Sequence, residues 1–203
     1  MQNMNSRRSI IARIRLAVAL GIAGLLPNIG VLLAQADDFK IEPGFKSLFN
    51  GKDLTGWGYR TNNFDGKLES DDHRYSVSNG VFVVHPKTPR LEQAIWTTQE
   101  FPKDFTLRFE FRAAVNADSG IFLRKPQLQV RDYLVAGPYK NLKNYKPQDW
   151  NEVEVIVKNG VAHCVCNGEV LEEALKLPAT GPIGLEADRG QMEYRRLRIK
   201  ETE

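Results

Sequence analysis

"VEVIVKNGVAHCVCNGEVLEE", Val153 to Glu173, decides the fold of this chain. Val153, Val155 and Val157 point one way from an extended backbone, and Glu152, Glu154 and Lys158 the other. This is the period-two alternation of a half-buried strand. Asn159-Gly160 ends the run and Asn167-Gly168 follows eight residues later. Asn-Gly supplies the two positive-φ residues that a type I′ hairpin turn demands. The stretch therefore reads as successive antiparallel strands joined by tight turns. Cys164 and Cys166, the only cysteines, share a face at about 6.6 Å between Cα atoms, too far for a disulfide. They read as small packing residues, with His163 on the opposite face and unable to complete a metal site with them.

The same pattern extends outward. Asn79-Gly80 lies between "YSVS" and "VFVV". Phe105, Leu107, Phe109 and Phe111 alternate with Thr106, Arg108, Glu110 and Arg112. No stretch of ten residues keeps a helical period, and "GEVLEEALKLP" has room for one helical turn at most. Many short antiparallel strands in one domain predict an all-β fold, a two-sheet antiparallel β-sandwich or jelly roll. Such sheets commonly offer a polar face to extended or cyclic polar ligands.

Residues 1–36 are set apart. Arg7, Arg8, Arg13 and Arg15 form a basic start without an acidic residue. Leu16–Leu26 is an apolar run too short to span a bilayer, and Ala34-Gln35-Ala36 is an A-x-A cleavage pattern. The expectation is a signal peptide cut before Asp37, with export to the periplasm or the medium. An uncleaved anchor is the alternative, disfavoured because Pro27 and Gly30 interrupt the run. The domain is then 37–203, without stable membrane insertion. The leader holds 4 of the 28 Lys+Arg and none of the 25 Asp+Glu, which leaves 24 against 25 and a balance of −1. The basic excess belongs to the leader, so nucleic acid is not an expected partner.

Five segments then match a known family in order: "FKSLFNGKDLTGW", "DFTLRFEFR", "DSGIFLR", "QDWNEVEVIVKNGVAHCVCNG" and "GPIGLEADRGQMEYRRLRIKE". Together they resemble the 3-keto-disaccharide hydrolase domain family over about residues 44–201. The resemblance implies a concanavalin A-like, laminarinase-like jelly roll. It also implies an exported protein that cleaves glycosides oxidised to a ketone at C3, by hydrolysis or by elimination and hydration. In this family the LFNG-x-D-L-x-G-W segment is an N-terminal strand and turn. Leu54 and Trp57 are expected to pack on the sandwich, with sugar stacking by Trp57 as the alternative.

A C3 ketone acidifies the hydrogen at C2. The site needs a base, a group that holds the enediolate oxygen, and a proton source for the leaving group. In "GPIGLEAD", Ile183, Leu185 and Ala187 form the apolar face, so Glu186 and Asp188 share the other. Gly184 on that face leaves room for a ligand. Glu186, Asp188 and Arg124 are the catalytic candidates, Arg124 as the cation that steadies the enediolate. Gln127, Gln129, Arg108 and Glu110 are the substrate-binding candidates. Arg108 and Glu110 also fit a solvated strand face with cross-strand ion pairs, and Arg124 also fits a structural salt bridge.

In the family that the chain resembles, many members have Glu-x-Gln where this chain has Gln127-Leu128-Gln129. The amide cannot serve as a base, which shifts that role to Glu186 or Asp188 or leaves a binding protein. The loop after Val135 is also shorter than in relatives. His73 and His85 read as solvated or strand-end residues. Asp71-Asp72-His73 is too weak a pattern for a cation, so no metal and no cofactor are expected. The expected partner is a small-molecule carbohydrate. The competing readings are a non-catalytic carbohydrate-binding module on the same fold and an accessory domain in a surface complex.

Overall fold

The computed structural model describes residues 38–85, 93–135 and 137–202. The expected signal peptide and its expected cleavage point lie outside them. The described residues contain thirteen strands: β1 Lys46–Ser47, β2 Trp57–Gly58, β3 Tyr75–Ser78, β4 Val81–Val84, β5 Gln93–Thr97, β6 Phe105–Ala113, β7 Gly120–Leu123, β8 Gln127–Gln129, β9 Asn151–Lys158, β10 Val161–Cys166, β11 Glu169–Lys176, β12 Ile183–Ala187 and β13 Met192–Glu201. Every pairing is antiparallel. One sheet runs β11-β10-β9-β6-β13-β4-β3, with β1 also on β13. The other runs β2-β5-β12-β7-β8.

The three Asn-Gly turns form as their chemistry requires. Asn79, Asn159 and Asn167 take φ of 51°, 52° and 47°, and the glycines after them 76°, 72° and 82°. They close β3–β4, β9–β10 and β10–β11. The alternation holds as well. Phe105, Leu107, Phe109 and Phe111 of β6 and Val153, Val155 and Val157 of β9 are buried. So are Ile121 and Leu123 of β7 and Ile183, Leu185 and Ala187 of β12. Both sheets contribute to one apolar cluster, and each large apolar side chain in it stabilises the fold by about 1.5–3 kcal/mol. The Tyr75 hydroxyl of β3 crosses to the Gln93 carbonyl at 2.6 Å, which ties the sheets together.

Cys164 and Cys166 are buried free thiols. Burial pushes both up to about 12. Trp57 is fully buried. It packs edge-on against Phe82 and donates its indole N–H to the Leu48 carbonyl at 2.7 Å. Its face is therefore spent on the core, and no sugar stacks on it. Glu169–Lys176, where one helical turn was admitted, is wholly strand. Pairing with β10 overrides the helix-favouring Glu, Ala, Leu and Lys residues. As the edge strand of the larger sheet, it is blunted by charges and by irregular register.

Candidate functional site

On the smaller sheet, Ile183, Leu185, Ile121, Leu123, Leu128 and Ile95 turn inward. The strand period then places Ala94 and Trp96 of β5, Gly184 and Glu186 of β12, Gly120 and Phe122 of β7, and Gln127 and Gln129 of β8 on its outer face. Register sets them side by side. Gly184 lies opposite Trp96 on one flank and Phe122 on the other, and Glu186 lies opposite Ala94. Gly120 pairs with Gln129, and Phe122 with Gln127.

Two glycines let large side chains lie flat here. A Cβ on Gly184 would come within 2.7 Å of the Trp96 ring. The room that Gly184 leaves is therefore filled by indole, not held open for a ligand. Trp96 stacks on Phe122 with ring centres 5.0 Å apart and planes at 29°, making an aromatic strip across three strands. A Cβ on Gly120 would meet the Gln127 side chain at 2.3–2.5 Å. Gln127 crosses that gap and donates its amide to Glu186 Oε2 at 2.5 Å. Gln129 in turn donates to the Gln127 carbonyl oxygen at 2.9 Å. The direction is forced, because an ionised carboxylate only accepts. Gln127 must present its N–H₂ to Glu186 and its oxygen to Gln129. The Ser119 hydroxyl fixes the same strand by donating to the Glu186 carbonyl at 2.7 Å.

Glu186, Gln127 and Gln129 are thus brought together. Asp188 lies just past the end of β12, two residues after Glu186. Arg131, on the same face as Gln127 and Gln129, is a buried cation 3.2 Å from Asp118. Its Nε is buried and makes no hydrogen bond among the described residues.

Three candidates are placed elsewhere. Arg124 has φ 64° in the β7–β8 turn, where the alternation breaks. It lies four residues along from Gly120, about 13 Å of strand. Its guanidinium donates to the Pro178 and Lys103 carbonyls at 2.6 and 2.7 Å and stacks over Phe105. Burial lowers its pKa from the usual guanidinium value, and the Asp104 charge only partly opposes this. Arg108 and Glu110 project from the outer face of the larger sheet, across the sandwich from Glu186. Arg108 pairs with Glu154 at 2.6 Å, and Glu110 with Arg195 at 2.6 Å and Arg196 at 2.5 Å. They form the cross-strand ion-pair ladder that was the alternative for them.

Trp96 and Phe122 were not among the candidates. Their signal is in the sequence: in "QAIWT" and "GIFL" each alternates with buried Ile or Leu, so each had to face outward. Beside Trp96 the face opens into a hollow of about 740 Å³. Its walls include the Gly58–Asn63 segment, Glu100, Lys125 and Thr180. Among the described residues, no three His, Cys, Asp or Glu side chains gather as a metal site would need.

Residues 44–200 match the 3-keto-alpha-glucoside-1,2-lyase-like domain. No curated protein matches the chain significantly in sequence. Among solved structures, a protein of Parabacteroides distasonis provisionally assigned as a glycosyl hydrolase superposes with a TM-score of 0.62 at 17% identity. The match covers 79% of this chain and 94% of that one. A second such protein from the same organism gives 0.57 at 19% identity, over 78% and 99%. A carbohydrate-binding module from Bacillus subtilis gives 0.50 at 8% identity, over 77% and 100%. At these identities the likeness is one of fold.

Proposed function

The chain belongs to the 3-keto-alpha-glucoside-1,2-lyase-like domain family, and from that premise we propose that it cleaves a 3-keto-glycoside on the outer face of the smaller sheet. The observation that carries the reading is the Gln129–Gln127–Glu186 chain beside the Trp96–Phe122 strip. A pyranose ring stacks on aromatic faces, and the half-buried strip lies next to a carboxylate. Glu186 takes the proton from C2. The electron pair moves to the C3 oxygen as an enediolate. It returns to form the C1–C2 double bond as the C1–O bond breaks, and the leaving oxygen takes a proton. Water then adds if the net reaction is hydrolysis. Gln127 holds Glu186 in its acceptor state, and the second N–H of Gln129 is a donor for the enediolate oxygen. Only one base is needed, unlike the two carboxylates of ordinary glycosidases.

Glu186→Gln tests this. It should keep the fold and sugar binding while lowering turnover of a 3-keto-disaccharide by ~10²–10⁴. An unchanged rate rejects Glu186 as base and passes the role to Asp188. The non-titrating Gln127 favours a second reading, a carbohydrate-binding module. Binding of oxidised and unoxidised disaccharide alike, with turnover of neither, would select it. The basic, apolar leader supports action outside the cytoplasm. Intact-mass measurement of the exported protein should find Asp37 at its N-terminus.

A further inference from the structure

The hollow beside Trp96 has an unusual charge environment. Ten arginines lie among the described residues. Eight of them contact a carboxylate: Arg74, Arg108, Arg112, Arg131, Arg189, Arg195, Arg196 and Arg198. The two that do not, Arg60 and Arg124, both line the hollow, together with Lys125. Arg124 turns Nη1 and Nη2 to two backbone carbonyls, and its Nε is buried. Arg60 lies over the Trp96 ring at 5.9 Å and is otherwise exposed. Lys125 is exposed and forms no ion pair among the described residues. The one carboxylate in the wall, Glu100, accepts from the Thr180 hydroxyl at 2.9 Å. The hollow therefore holds an excess of positive charge, with two cations whose donors are available.

Its position completes the argument. Gly184, under the Trp96 ring, is two residues from Glu186, about 6.6 Å along the strand. That is roughly the step of one sugar ring. A ring whose C2 meets Glu186 leaves its C1 substituent over Trp96 and into the hollow.

Resting on the reading of Glu186 above, we infer that the hollow is the leaving-group subsite and that it selects leaving groups bearing an anion, a carboxylate or a phosphate. Arg60 and Lys125 clasp that anion, and Trp96 is the wall shared with the reacting ring. Guanidinium and ammonium donors recognise both anions, the guanidinium by two parallel bonds.

The test has two arms. Calorimetry of the wild-type protein with glucuronic acid, glucose 6-phosphate and methyl glucoside measures binding without catalysis. One or both anionic sugars should bind about tenfold more tightly than the neutral one, as charged hydrogen bonds allow. Arg60→Gln with Lys125→Gln should abolish that difference and leave methyl glucoside binding unchanged. Which anionic sugar is preferred separates carboxylate from phosphate. Turnover of 3-keto-glycosides with carboxyphenyl, phosphophenyl and tolyl leaving groups is the second arm. The double variant should raise KM about tenfold for an anionic leaving group with little change in kcat. Equal wild-type binding of all three sugars, or a preference that survives the double variant, overturns the inference. If the wild-type protein turns over none of these glycosides, while its preference for anionic sugars is lost in the double variant, the reading of Glu186 falls and the anion subsite stands.

Discussion

At the scale of residues, the candidate site sets an amide, Gln127, against the Glu186 carboxylate. Gln127 does not titrate, so its hydrogen bond at 2.5 Å holds Glu186 without competing for a proton. Gln127→Glu would set two carboxylates at that spacing. Both cannot ionise at neutral pH, so they share a proton and one pKa of the pair rises. A base works only when ionised, so the acidic limb of kcat/KM should move to higher pH, by about 1–2 units on the scale of such pairs. The profile of the variant against wild type on a 3-keto substrate is the measurement. An unmoved limb would separate Gln127 from the base. The sequence showed Glu186 and the two glutamines because each lies in a regular strand, where alternation fixes the face. Arg124 escaped that logic because it occupies a positive-φ turn. There the period is broken and the side chain folds under Pro178 and Lys103.

At the scale of elements, the three Asn-Gly hairpins look alike in sequence but carry different loads. Asn159 contributes its conformation. Its backbone N–H, which any residue would supply, donates to Asp104 at 2.7 Å. Asn167 also works through its side chain. Its Nδ2 donates to the Asn144 carbonyl at 2.7 Å and to Asn151 Oδ1 at 2.8 Å, while its Oδ1 accepts from Glu152 N–H at 2.9 Å. It thus joins a hairpin to the long loop that leads into β9. Alanine at a left-handed position costs about 1 kcal/mol, and each lost bond adds about 1. Asn159→Ala should therefore cost about 1 kcal/mol and Asn167→Ala about 4, read from urea midpoints at constant slope. Equal costs would mean that the loop contacts of Asn167 contribute nothing. The turns themselves were legible because φ > 0 is a local demand. The second role of Asn167 was not, since its partner Asn144 lies 23 residues away.

At the scale of the whole molecule, the outer face of the larger sheet is closed by the segment before β1. Glu42 bonds Arg198 at 2.7 and 2.8 Å and reaches Arg108 at 3.3 Å. Phe45 lies against the guanidinium groups of Arg108 and Arg198, and Phe39 against that of Arg198. No strand pattern announces a contact that spans 156 residues. Alternation predicts only that Arg108 faces outward, not what covers it. The Arg198 hydrogen bonds are the chief cause that lowers Glu42 from 4.5 to about 2. A depressed carboxyl pKa stabilises the fold above the unfolded value. That contribution is fully present above about pH 4.5 and is lost as pH falls through about 2. The carboxylate is 35% exposed, so solvent screening cuts its worth to about 1 kcal/mol. Glu42→Gln should then lower stability by about 1 kcal/mol at pH 7. The gap from wild type should narrow below pH 4.5 and close only well below pH 2, where both proteins carry an uncharged group at 42. Urea unfolding of both proteins across this range measures the gap. A difference that stays constant with pH would show that Glu42 acts through packing and not through its charge.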